Sequence, residues 1–399
     1  DYGLDHAIAD AVDELWRDPR DQGDILVFLP GEREIREAAD HLRQHLSHQP
    51  ALRGTDVLPL FARLSQAEQD RVFDSHAGRR IVLATNVAET SLTVPGIRYV
   101  IDSGTARVKR YSYRSKVEQL LVEPISQAAA QQRIGRCGRV ANGVCIRLYD
   151  EQDFSGRPRF TDPEILRSSL AGVILRMKSL HLGDVERFPF VEAPRPKAIA
   201  DGYQLLAELG AVDDQNELTA VGRDLAHWPL DPRVGRMVLE ARHRQALAEV
   251  LIVASALSVQ DVRDRPLAQQ AQADQVQAQF KDERSEFSGY LTLWSWLEKA
   301  RGGSLHSPAS ATQGSSVQEP ATHKLSNRQF EQLLRQHFIN PRRLREWRDV
   351  YSQLLTVVNQ QGWHLNTQPA SYEQLHCSML AGLLGNIGWR QEDEEGYLG

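Results

Sequence analysis

Between Gln131 and Arg139 the sequence sets an amide and two guanidinium groups at helical spacing. On a helix of 3.6 residues per turn, Gln132, Arg136 and Arg139 fall at i, i+4 and i+7 and share one face. Two guanidiniums aimed at one point suit a phosphoryl group in transfer: they meet the charge on its oxygens while the amide orients an attacking water. A merely solvated charged helix would gain nothing from Gly135 and Gly138, each of which costs about 1 kcal/mol relative to alanine. Those glycines would instead let another surface come close.

Two further stretches could hold phosphate. Arg80 to Gly96 reads as a strand running into Thr85 and Asn86 and then a short helix, with Ser91 and Thr93 following. Free N–H groups at a helix start, beside small hydroxyl and amide side chains, suit a phosphate of either a nucleotide or a strand. Asp24 to Ile35 reads as a strand ending at Pro30-Gly31 and entering a helix. There Gly31 would admit a backbone phosphate and Arg33 stands nearby, although a plain turn has the same pattern.

The elements that must position these groups are an α/β layer. Four apolar runs, Ile25–Leu29, Val57–Leu60, Ile81–Ala84 and Tyr99–Asp102, are candidate strands between amphipathic helices, and Val144–Leu148 would close the sheet. Ser65 with Glu68 forms a capping box that starts a helix through Phe73. Arg107–Arg110 and Val117–Val122 read as an inserted β-hairpin before a helix beginning near Ser126. Beyond Asp150 helical periodicity takes over. Asp162-Pro163 opens a helix whose face would carry Leu166, Leu170, Val173, Ile174 and Met177. A second helix runs to Leu209, and Gly210–Thr219 suggests a two-stranded ribbon, as in a winged helix. Asp231-Pro232 then starts a bundle continued by Leu247–Leu257, Leu291–Leu297, Leu344–Val358 and Leu375–Leu384. Residues 302–322, rich in Gly, Ser, Ala, Thr, Gln and Pro, read as a disordered surface insertion.

With 399 residues the chain is long enough for two or three cores. Its net charge of −6 excludes gripping nucleic acid by bulk charge, so any strand must be held locally. Three cysteines, Cys137, Cys145 and Cys377, lack zinc spacing and an even count; neither a disulfide framework nor a metal site is indicated, and a reducing cytoplasm fits best. No apolar stretch approaches the ~20 residues that span a bilayer. Opening at Asp1 without methionine, the chain reads as a piece of a longer protein.

Taken in order, the stretches at 24–35, 80–96 and 131–139 resemble motifs IV, V and VI of the DEAH-box (DEAH/RHA) RNA helicases, closest to a bacterial type. Leu58 to Ser65 with Glu68 to Phe73, Val100 to Gly104, Glu123 to Ala128, Phe160 to Arg167, Leu209 to Ala211, Leu218-Thr219 and Pro229 to Pro232 extend the resemblance over nearly the whole chain. It implies a second RecA-like (P-loop NTPase-like) domain at 1–155 with a hairpin near 105–123, a winged helix at 156–228, a ratchet-like bundle at 229–375 and the start of an OB-type region at 376–399. It also implies roles. Arg136 and Arg139 resemble arginine fingers, and Gln132 the holder of the lytic water. Phe73 is similar to the aromatic that stacks on the nucleotide base, with Ser91 and Thr93 on the nucleotide side. Thr85, Asn86 and the Gly31 turn, with Arg33, are similar to the groups that hold RNA phosphates. The hairpin resembles a strand separator, though an ordinary sheet extension fits its residues as well. Pro95 departs from the pattern, where many relatives have an aspartate near the nucleotide.

A motor of this kind also needs a G-x-x-x-x-G-K-[ST] loop and acidic Mg²⁺ ligands. Neither that loop nor D-E-x-H occurs in this sequence. The expectation is a monomeric, cytoplasmic ATP- and Mg²⁺-dependent RNA helicase whose first RecA-like domain lies upstream, with this chain alone inactive. A non-catalytic RNA-binding scaffold and a helicase acting on DNA are the alternatives.

Overall fold

The computed structural model describes residues 2–18, 20, 23–302, 325–390 and 397–398. The expected insertion at 302–322 lies outside these beyond Gly302, as does part of the expected OB-type start, at 391–396 and 399. Two compact units divide the chain: residues 1–112 with 117–168, and 113–116 with 169–399.

In the first unit, α1 (Leu4–Leu15), β1 (Asp24–Phe28), α2 (Glu32–Ser47), β2 (Asp56–Leu60), α3 (Gln66–Arg71), β3 (Arg80–Ala84) and β4 (Ile97–Asp102) precede a hairpin. The hairpin strands are β5 (Thr105–Ser112) and β6 (Val117–Pro124), followed by α4 (Gln127–Ile134) and β7 (Val144–Arg147). The main sheet has the order β2-β3-β1-β4-β7, and every pairing in it is parallel. Its strands read as unbroken apolar runs because both faces are covered. Ile25 and Val27 of β1 join a core with Ile8, Val12, Ile35 and Leu42 from α1 and α2. Their neighbours Leu26 and Phe28 join Leu58, Val82, Ala88 and Val100 on the other face. Each such side chain contributes about 1.5–3 kcal/mol by leaving water.

From β1 the chain passes out to β2, returns to β3, and only then crosses to β4 on the other side of β1. This reversal puts the carboxyl ends of β3, β1 and β4 side by side, where open α/β sheets present ligand groups. The Ser65 capping box forms as expected, and Ser126 caps α4 by accepting from the Ala129 amide.

The run expected from Asp162 is broken: the first unit closes with α5 (Glu151–Gly156) and α6 (Glu164–Arg167), which ends at the extended Ser168, and α7 (Ala171–Ser179) starts anew in the second unit, which is helical. After α8 (Pro196–Glu208) the expected ribbon is a single bridge, Val212 to Leu218, leading into α9 (Ala220–Leu225). Asp231 caps α10 (Pro232–His243) as its sequence implies. Buried on nearly all sides, α11 (Leu247–Leu257) forms the centre of the bundle. Trp347, 1 % exposed, packs edge-on to Trp294 at 4.9 Å and donates its Nε1 hydrogen to the Ile252 carbonyl at 3.1 Å. Among the described residues no helix is long and apolar enough to cross a membrane.

Candidate active site

The expected arginine helix stops early. It ends at Ile134, with Gly135 as its cap and Gly138 at φ 78°, so Arg136 and Arg139 lie on the turn beyond it rather than on one continuous face with Gln132. The last turn of a helix leaves its carbonyls unpartnered. Arg136 Nε donates to the Gln132 carbonyl at 3.4 Å and Arg139 Nε donates to the Gly135 carbonyl at 3.2 Å. The stems are thereby fixed, while neither guanidinium pairs with a carboxylate among the described residues. The Gln132 amide is exposed and likewise makes no hydrogen bond there. Burial, and then the like charge of Arg139, lower the Arg136 pKa; Glu89 opposes them. An anion between the two arginines would relieve that repulsion.

What holds this turn in place is a residue that the spacing argument passed over. Arg133 is fully buried. Its guanidinium donates to Asp102 Oδ1 and Glu89 Oε1, both at 2.7 Å, and to the Thr105 carbonyl at 3.0 Å, and it lies 4.8 Å over the Phe28 ring. The helix is thus pinned to the ends of β1 and β4 and to the segment after β3. Asp102, also fully buried, accepts in addition from the Tyr149 hydroxyl at 2.8 Å and the Gly104 amide at 2.8 Å. Burial raises the Glu89 pKa and Arg133 opposes the rise. Burial, helped by the charge of Asp102, raises the Tyr149 phenol. From Gly138 the chain doubles back to β4. A Cβ at Gly143 would stand 2.6 Å from the Arg98 carbonyl oxygen and 2.7 Å from the Gly138 nitrogen, so this return requires glycine.

The other expected residues fall into separate places. Thr85 and Asn86 follow β3, whose Ala84 carbonyl accepts from the Leu29 amide at 2.8 Å, so they neighbour the Pro30-Gly31 turn at the carboxyl edge. The helix expected after them is a 3₁₀ turn, Asn86–Ala88. Gly31 does not keep open space for phosphate: a Cβ there would meet the Arg107 guanidinium carbon and Glu34 Oε2 at 3.0 Å. Arg107, from the hairpin, is the closer cation, 3.7 Å from Glu34. Arg33 is exposed and pairs with Glu34 at 3.0 Å. Ser91 and Thr93 are exposed on the segment between β3 and β4. Phe73, 42 % exposed, lies elsewhere: Arg80 at the start of β3 donates to the Val72 and Asp74 carbonyls, tying the Phe73 turn to the amino end of that strand.

These features can be set beside known proteins. Residues 7–141 match the Helicase conserved C-terminal domain, and residues 231–292 match the Helicase associated domain (HA2), ratchet-like. Over 98% of its length the chain is 52% identical to the ATP-dependent RNA helicase HrpA of Escherichia coli (strain K12). It is 48% identical, again over 98%, to the ATP-dependent RNA helicase HrpA homolog of Haemophilus influenzae. The chain thus carries a helicase C-terminal domain and a helicase-associated domain. It spans 28% of the length of each of these relatives. The crystal structure of the E. coli DExH-box NTPase HrpB matches 99% of this chain and 39% of its own with a TM-score of 0.68 at 23% identity, a likeness of fold. The first unit is therefore RecA-like, and mainly helical structure follows it.

Within that frame, Arg133, Asp102, Glu89, Arg107 and Gly143 are what sequence reasoning missed. The available signals were an aspartate closing an apolar strand and an arginine on a face otherwise buried through Ala130. Covalent chemistry by the adjacent thiols is disfavoured, since burial raises both Cys137 and Cys145, the latter to about 12.

Proposed function

We propose that this chain is the second half of the motor of an ATP-dependent RNA helicase, together with the helical regions that guide the strand. Arg136 and Arg139 meet the charge on the transferring phosphoryl oxygens of a nucleotide held chiefly by another RecA-like domain, and Gln132 orients the attacking water. The observation that carries this reading is the pair of mutually repelling guanidiniums, without carboxylate partners among the described residues, on a turn locked from beneath by Arg133. An ordinary surface arginine pair has no need of such a foundation.

In this reading Phe73 stacks on the base, Ser91 and Thr93 face the nucleotide, and Thr85, Asn86, Gly31 and Arg33 lie along the RNA backbone. Arg107 joins them because it reaches the Gly31 turn. The phosphate loop, the DEAH box and the Mg²⁺ ligands belong to a first RecA-like domain outside this chain. ATP supplies the phosphoryl group, and its hydrolysis would shift the grip along single-stranded RNA and unwind duplexes. The layout is a RecA-like domain at 1–155, a winged helix at 156–228, a ratchet-like bundle at 229–375 and the beginning of an OB-type region at 376–399. A monomer in the cytoplasm completes the proposal; the chain by itself hydrolyses no ATP.

The test uses the full-length protein. Arg136→Ala and Arg139→Ala should each lower RNA-stimulated ATP turnover at least about 100-fold, with RNA affinity little changed. Near-normal turnover in both would leave a non-catalytic RNA-binding scaffold as the better account. Equal stimulation by RNA and DNA would remove RNA as the preferred substrate.

A further inference from the structure

The second unit has a concave surface of its own. A cavity of about 740 Å³ lies between the end of α7, the bend after it, the Glu217-Leu218 turn and the end of α9. Arg176, Lys178, His181, Arg223 and His227 line it. In a chain of net charge −6 this is a local concentration of cationic and imidazole groups.

Their partners leave much of that chemistry unused. Lys178 is paired with Glu217 at 3.3 Å. Arg176 donates to the Ala226 carbonyl at 3.4 Å and Arg223 donates to the Leu218 carbonyl at 2.9 Å. A carbonyl orients a guanidinium without neutralising it, and neither arginine forms an ion pair among the described residues, although Asp184 and Glu217 also line the cavity. The His181 and His227 rings are exposed and make no hydrogen bond among the described residues. His181 also has φ 55°, a conformation that favours glycine at a helix end.

We propose that this cavity binds single-stranded nucleic acid, with Arg176 and Arg223 on backbone phosphates and the two imidazole rings stacked on bases. Guanidiniums backed by carbonyls suit phosphate oxygens at fixed points. Flat rings interleaved with them suit bases, which stack on aromatic side chains with little regard to sequence. An acidic peptide would use the arginines and leave the rings idle. The proposal rests on the reading that the protein acts on RNA and adds a contact made by the second unit itself.

The test measures binding of a labelled RNA of about 20 nucleotides to the full-length protein by fluorescence anisotropy across a salt series. Arg176→Gln with Arg223→Gln should weaken binding about tenfold and reduce the slope of log K against log salt by about 1.4, two phosphate contacts on a single strand. His181→Ala with His227→Ala, which disturbs no hydrogen bond, should weaken binding about fivefold or more with the slope unchanged. Unfolding midpoints equal to the parent's would show that both variants fold. A wild-type slope in the arginine variant, or wild-type affinity in the histidine variant, overturns the proposal. So does tighter binding of polyglutamate than of RNA by the parent protein, lost in the arginine variant. If the parent binds no RNA at any salt, the functional reading itself has failed.

Discussion

Arg133 and Arg136 stand one helical turn apart, and their surroundings give them opposite work. Arg133 is sealed from water with a carboxylate on each side and an aromatic ring beneath. Arg136 is half-buried, faces another arginine and, among the described residues, bonds only to a backbone carbonyl. The first is satisfied and therefore structural; the second is frustrated and therefore available to an anion. Residue type does not separate them. Partners and burial do.

Substitutions should expose that difference, the largest effect coming from the buried member. Arg133→Ala strands Asp102 and Glu89 as unpaired charges, at a cost of about 3–5 kcal/mol of folding stability; denaturant unfolding would measure it. A loss below about 1 kcal/mol would mean that the two carboxylates find other partners. Gly143→Ala drives a Cβ into backbone atoms and should cost about 1–3 kcal/mol while displacing the arginine turn. Turnover should fall with stability in that variant, linking the two regions. Arg139→Ala should do the reverse, abolishing turnover with a stability change within about 0.5 kcal/mol. Least consequential for turnover is Ser65→Ala, which removes the cap of α3 at a cost of about 1 kcal/mol. Faster hydrogen exchange confined to the segment bearing Phe73 would register it.

The main-sheet strands were legible because burial on both faces writes continuous apolar runs, and each of them lies within one or two residues of its expected place; the expected 210–219 ribbon, with no such run, is only a bridge. Caps at Ser65, Ser126 and Asp231 were legible for a local reason, the side chain bonding to a nearby amide. The end of α4 was not, because Arg136 and Arg139 keep helical spacing while Gly135 and Gly138 turn the backbone away. Nor was Arg133: its carboxylates lie 31 and 44 residues away in sequence, and only the sheet order brings them together. Gly31 shows the same limit, since its occupant, Arg107, arrives from the hairpin.

The most direct test is single-turnover ATP hydrolysis by full-length protein carrying Arg136→Ala, with the unfolding midpoint measured on the same sample. The account predicts a rate at least about 100-fold lower at an unchanged midpoint. A rate within about threefold of the parent, or a loss of rate matched by a loss of stability, would contradict it.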